Sequence, residues 1–193
     1  MYPSKIMGQN ITLAHLKPTL KNATILSHLV RDNALYLSSV FDYMVQAYAT
    51  PQETLSCLQY DEECRLRYEM LPYYILKNGE VLGEITAEWS DKNRTTEMMY
   101  WIDEKYSGKG YISESLKLME KTLFHGGHNQ ICLYIDSANW RSAEVAKRNG
   151  YQLSYNADYY YKTWQMYCEQ TKHVCCDKTG ITRFFNSFFG RFR

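Results

Sequence analysis

Asn78-Gly79 lies between two stretches that read as β-strands. Leu71 to Leu76 is a run of apolar and aromatic residues, and Val81, Gly83, Ile85, Ala87 and Trp89 alternate with polar neighbours. A two-residue type I′ hairpin needs positive φ at both central positions, and Asn followed by Gly supplies it at least steric cost. Asp91-Lys92-Asn93-Arg94 reads as a second turn leading into a third strand, Thr95 to Asp103. Residues 70–103 are therefore expected to form a three-stranded antiparallel meander. Whatever the rest of the chain does must cover that sheet.

The flanking segments have the period needed to cover it. Residues 9–16 alternate enough for a first strand, stopped by Pro18. From 20 to 48 the apolar spacing is helical, through Leu20, Ile25, Leu29, Leu37, Val40 and Met44, and Asp32-Asn33 is expected to break it in two. Thr50-Pro51-Gln52-Glu53 reads as a capping box with Pro at the first helical position, so a helix is expected over about 51–67. Beyond the meander, helix and strand alternate. Ile112, Leu116, Met119 and Leu123 mark a helix, and Ile131 to Ile135 a buried strand. Ser142 to Asn149 reads as a helix closed by Gly150, with 151–155 and 158–166 as a last hairpin.

Composition excludes several classes of function. Lys+Arg 22 against Asp+Glu 21 gives a net charge of +1, which argues against a general nucleic-acid binder. No apolar run reaches the ~18 residues that span a bilayer, and MYPSKIMGQN lacks the core of a signal peptide, so a cytoplasmic protein is expected. The six cysteines include no C-x-x-C, and the histidines are not at metal spacing from them, so reduced structural thiols and no metal are expected.

The feature that carries chemistry is a strand, then Tyr106-Ser107-Gly108-Lys109-Gly110-Tyr111, then a helix. Two glycines at i and i+2 let the backbone approach a ligand, and the N–H groups of a helix N-terminus favour a phosphate or pyrophosphate. The turn is neither a dinucleotide fingerprint, which needs a third Gly and a later acid, nor a Walker A loop. In context, Trp101-Ile-Asp-Glu-Lys-Tyr-Ser-Gly-Lys-Gly-Tyr-Ile-Ser-Glu-Ser resembles motif A of the GNAT acetyltransferases. Ile135-Asp-Ser-Ala-Asn139-Trp-Arg-Ser142-Ala-Glu-Val-Ala-Lys-Arg-Asn-Gly150-Tyr151 is similar to motif B of the branch that acetylates ribosomal-protein N-termini. The resemblance covers roughly residues 9–167.

That resemblance implies an α/β fold with a mixed, mostly antiparallel central sheet of about seven strands, flanked by helices and splayed between the fourth and fifth. It implies acetyl-CoA as acetyl donor and direct transfer to a primary amine, most plausibly a protein N-terminal α-amine. The pyrophosphate would rest on backbone N–H groups of Ser107, Gly108, Lys109, Gly110 and Tyr111. Asn139 would bond the pantetheine arm, and it also reads as a helix N-cap. A strand N–H around Met99 or Tyr100, with Trp101 beside them on the same strand, would meet the thioester oxygen. Glu97, an acid among apolar and hydroxyl residues, is the candidate base, with Glu84 and Glu88 as fallbacks, because a protonated amine must lose a proton before attack. Many relatives carry a Tyr proton donor seven residues after the motif-B Asn; here that position is Ala146. Ser142 takes its place as the candidate near the sulfur, as an acid or only to orient it. Lys105, where the motif often has Gln or Arg, is a second departure.

Two other functions fit the same residues. A small polycationic acceptor such as an aminoglycoside or polyamine would want an acid-rich site, which Glu84, Glu88, Glu97, Asp61, Glu62 and Glu63 could supply. A non-catalytic CoA-binding module would explain Ala146. Residues 1–167 read as the catalytic domain and 168–193 as an extension. Phe184, Phe185, Phe188, Phe189 and Phe192 gather on one helical face, edged by Arg183, Arg191 and Arg193. Packing on the chain's own sheet or in a homodimer is favoured for this face over contact with an anionic membrane.

Overall fold

A computed structural model describes residues 2–89, 95–156 and 159–171. The turn expected at Arg94 and its neighbours, the last hairpin's turn at 157–158, and the Phe-Arg tail lie wholly or partly outside these residues. The first hairpin joins β3 (Met70–Lys77) to β4 (Glu80–Trp89), with Asn78 at φ 52° and Gly79 at φ 84°, as a type I′ turn requires. β5 (Thr95–Ile102) pairs antiparallel with β4 and completes the meander.

At the N-terminus there are two short strands where one was expected. β1 (Lys5–Met7) and β2 (Thr12–Ala14) form a hairpin, and β2 continues the sheet by pairing Leu13 with Ile75 of β3. The turn residues Gly8-Gln9-Asn10 win over the alternation: the Gly8 N–H donates to the Ile11 carbonyl at 2.9 Å, and Glu114 accepts from the Asn10 backbone at 2.8 Å.

β6 (Gln130–Leu133) lies parallel to β5, and β8 (Tyr160–Thr163) and β7 (Gln152–Leu153) close the edge. The eight strands run β1-β2-β3-β4-β5-β6-β8-β7. Because β1 adds a strand at the start, the splay falls between the fifth and sixth strands. Pairing of β5 with β6 stops at Glu97↔Cys132, and β5 then continues for five residues without β6.

The helices cap as the sequence indicates. α1 (Leu20–Asp32) and α2 (Ala34–Ala47) break at Asn33, whose Nδ2 donates to the Leu29 carbonyl and whose Oδ1 accepts from the Glu104 N–H. α3 (Pro51–Leu66) starts on Thr50, whose Oγ1 accepts from the Glu53 N–H at 3.2 Å and donates to the Glu53 carboxylate at 2.7 Å. α4 (Tyr111–His125) and α5 (Trp140–Arg148) cover the other face. The last strand ends at Thr163, three residues early. Trp164 opens α6 (Trp164–Thr171), which passes through position 167 and buries Trp164, Tyr167 and Cys168 beside Phe124.

The sheet separates two cores. Tyr73, Ile85, Met98 and Ile131 face α4 and α6 with Leu116, Met119 and Phe124, while Tyr74 and Trp101 face Leu26, Val30, Leu37 and Leu58 of α1–α3. In the first core Lys162, 1% exposed, reaches Glu120 at 3.0 Å and also bonds the Asn149 carbonyl at the end of α5. Asn149 in turn donates to Ser113 of α4 at 3.1 Å, so the end of α5 is tied to both neighbours. Among the described residues no helix is long and apolar enough to cross a membrane, and Cys57, Cys64, Cys132 and Cys168 are free thiols.

Candidate active site

After a 3-10 turn at Glu104–Tyr106 the chain turns upward through Gly108, φ +73°, and Gly110, φ +82°. These left-handed conformations strain any residue with a Cβ. Gly110 is the N-cap of α4 and supplies no side-chain acceptor, so the first-turn N–H groups are uncapped. A Cβ placed at 108 or 110 would meet nothing within 4 Å, so the requirement is conformational and the space over the turn is open. Uncapped donors, the positive end of a helix dipole and open space above them together fit a pyrophosphate. Lys109 lies over the Tyr106 ring at 4.8 Å, and Lys105 is held by Glu80 at 3.2 Å and Asp103 at 3.1 Å. The Tyr111 hydroxyl is engaged by Lys77.

The direction of each β5 N–H follows from the ladder. Asp103 donates to the Leu82 carbonyl at 2.7 Å, so alternation makes Trp101↔Glu84, Met99↔Thr86 and Glu97↔Glu88 the hydrogen-bonded pairs with β4. The N–H groups of Met99 and Trp101 are thus directed at β4. Those of Met98 and Tyr100 are directed at the β6 side, and Tyr100 lies beyond the last β6 pair. Across the opening, Asn139 caps α5 by accepting the Ser142 N–H at 3.1 Å, and its Nδ2 remains to donate elsewhere. The Tyr100 hydroxyl donates to the Ser142 carbonyl at 3.4 Å, bridging β5 and the first turn of α5. Burial pushes the Tyr100 phenol up to about 12.

On the other face of β5 is a cleft of about 420 Å³ walled by α2, α3 and the meander. Its aromatic wall includes Phe41, Tyr43, Tyr48, Tyr60 and Trp101, and its acids are Asp61, Glu84 and Glu88; among the described residues no Lys, Arg or His lines it. Glu84 is buried, with Thr86 Oγ1 on one oxygen at 2.7 Å and Trp101 Nε1 on the other at 3.3 Å. Burial raises its carboxyl. Burial, with the Glu84 charge beside it, pushes Asp61 up to about 7, against the hydroxyl of Tyr74 at 3.3 Å. Glu97 is at the outer end of the same strand face, opposite Glu88, and burial followed by the Glu88 charge raises it.

Some expectations change on this geometry. Glu62 and Glu63 do not line the cleft: they pair with Arg65 at 2.7 Å and Arg67 at 3.8 Å on another side of α3. Glu84, with both oxygens bonded and the side chain buried, is poorly placed as a fallback base. The aromatic wall was missed by sequence reasoning because Phe41 to Tyr60 looked only like helix faces; their density of Tyr was the available signal.

The acetyltransferase (GNAT) domain family matches residues 25–152. The chain belongs to that family: it is an acyltransferase that draws acetyl groups from acetyl-CoA. It is 26% identical over 141 residues to the ribosomal-protein-serine acetyltransferase of Escherichia coli (strain K12), covering 72% of this chain and 74% of that one. Among solved structures, the RimL ribosomal L7/L12 alpha-N-protein acetyltransferase in complex with coenzyme A superposes with a TM-score of 0.75 at 22% identity. That match covers 82% of this chain and 97% of the other. The microcin C7 self-immunity acetyltransferase MccE, in complex with acetyl-CoA and AMP, superposes at 0.70 and 18% identity over 83% and 97%. These structural likenesses speak for the fold.

Proposed function

We propose that the chain acetylates the N-terminal α-amine of a protein, with the acceptor entering the α2–α3 cleft and acetyl-CoA the β5–β6 opening. The observation that carries this reading is the cleft itself. It is lined by carboxylates and aromatic rings with no cationic side chain among the described residues, and it ends at Met99 and Tyr100, where the thioester would arrive. A cation is attracted to both kinds of wall. The similarity to a ribosomal-protein-serine acetyltransferase favours a protein acceptor.

In this reading Ser107 to Tyr111 hold the pyrophosphate by backbone N–H groups, and the Asn139 amide bonds the pantetheine arm. The Tyr100 N–H meets the thioester oxygen, and Met99 and Trp101 shape the strand on either side of it. Glu97 takes the proton from the ammonium, with Glu88 as its neighbour and substitute. Burial followed by the Glu88 charge raises its carboxyl, which makes it a stronger proton acceptor than a free carboxylate. Ser142 orients the sulfur at the first turn of α5.

The acid-lined cleft also keeps a second reading open, a small polycationic acceptor. A panel of peptides with free Ser or Ala N-termini, an aminoglycoside and a polyamine, each with acetyl-CoA, separates the two by free thiol release and product mass. Acetylation of the peptides at the α-amine is expected. Acetylation of only the small amines overturns the protein reading, and coenzyme A binding with no transfer makes the chain a binding module.

A further inference from the structure

Expelling a thiolate from a thioester is assisted by a hydrogen-bond donor at sulfur, because negative charge builds there as the carbon–sulfur bond breaks. Where β5 faces the start of α5, the Tyr100 side chain meets Ser142, and both residues carry hydroxyls. Ser142 is an aliphatic hydroxyl. One helical turn further on the same face is Ala146, fully buried and without a donor. The other hydroxyl is that of Tyr100, a phenol and therefore the stronger donor. Its ring crosses the opening from β5, and its O–H rests on the Ser142 carbonyl at 3.4 Å, a long bond that is easily exchanged. A pantetheine arm that runs from the Gly108–Gly110 cradle to the cleft has to pass this ring.

We propose that the Tyr100 hydroxyl is a catalytic residue that leaves the Ser142 carbonyl and donates its hydrogen bond to the departing sulfur. This inference rests on the acetyltransferase reading above. The amine nitrogen bonds to the acetyl carbon, and the carbon–sulfur bond breaks with its electron pair on sulfur. The phenol holds that charge, and the thiolate takes its proton from solvent after release. Two protons leave the nitrogen: Glu97 takes the first before attack and passes it to solvent, and then takes the second once the nitrogen carries the acetyl group. Burial keeps the phenol protonated up to about 12, so the donor is present at every working pH. The groups that face it are Tyr36 of α2 and the backbone of α5.

The test reads the bound thiol directly and needs no acceptor. Coenzyme A is titrated in complex with the full chain, and the rate of thiol alkylation is followed against pH for the native protein and for Tyr100→Phe. Removal of the donor should raise the thiol midpoint by about one unit, a tenfold loss of thiolate at a given pH, with coenzyme A affinity within about twofold. Turnover on a peptide with a free Ser N-terminus should fall roughly ten- to a hundredfold. If Tyr100→Phe fails to fold or bind, a fluorinated tyrosine placed at position 100 alone substitutes for it, and its more acidic phenol should lower the thiol midpoint. Superimposable titration curves for the native protein and the bound variant overturn the inference alone. A native protein that does not bind coenzyme A overturns the inference and the reading beneath it together.

Discussion

Glu97 and Cys132 are the last residues in register between β5 and β6, so the base candidate stands where the two strands part. On its other side it faces Glu88, and burial followed by the Glu88 charge disfavours ionisation of Glu97. A base must be ionised to act, so the rate should rise with pH through the raised Glu97 midpoint. Glu97→Gln should lower kcat by about 10²-fold or more and remove that acid limb, with coenzyme A affinity nearly intact. Initial rates over pH 5 to 9 check it. A retained limb would pass the role to Glu88.

The cradle predicts a sharper loss. Gly110→Asp places a side chain at φ +82° and a negative charge at the uncapped end of α4. Coenzyme A binding should fall beyond detection by calorimetry while the far-ultraviolet dichroism stays native. Gly110→Ala, which brings strain without charge, should lie between the two. Equal affinity in all three proteins would remove the cradle from the site.

Asp61 ties stability to pH. Its folded midpoint of about 7 lies above the ordinary value of 3.8, so between these limits the folded state holds a proton that the unfolded state has released. Its contribution to stability is therefore greatest below about 4 and is lost as pH rises toward 7. Asp61→Asn should leave the melting temperature near pH 4 almost unchanged and raise it at pH 8, by roughly 2–4 °C for each kcal/mol recovered. Calorimetric scans at the two pH values decide it.

The Lys162–Glu120 pair is buried on both sides, and its worth lies mainly in its completeness. Glu120→Gln or Lys162→Met leaves one charge uncompensated in the core and should cost about 3–5 kcal/mol in urea unfolding. Replacing both by leucine should recover most of that loss. A double variant as weak as the singles would mean that the bond from Lys162 to the Asn149 carbonyl, rather than the ion pair, holds this region.

Much of this architecture was legible because local chemistry and tertiary packing agree. Asn78-Gly79, Thr50-Pro51-Gln52-Glu53 and Asn33 each do in the fold what their residue types favour in isolation. Two segments carry local signals that compete. Alternation over 9–16 hid the Gly8 turn, and aromatic residues at Tyr160 to Met166 hid the switch from strand to helix at Trp164, because large rings suit a buried helix face as well as a strand. The Gly108–Gly110 turn was legible because two glycines in left-handed conformations leave a spacing in the sequence. The aromatic-acid cleft was not, since it is assembled from α2, α3 and β4, and no spacing along one segment records it. Glu62 and Glu63 show the same limit: on α3 they adjoin Asp61 in sequence and point elsewhere.

The walls of the cleft come largely from one continuous stretch, Phe41 to Asp61, whereas the donor side is built from Tyr100 to Ser142. The two meet mainly at the strand edge and through the Asn33 side chain. In the proposed reading, the helical hairpin that meets the amine is separate in sequence from the segments that hold the acetyl donor. A chimera that transplants residues 34–66 from a homologue should inherit the homologue's choice of amine, which makes this hairpin the natural cassette for redirecting the enzyme.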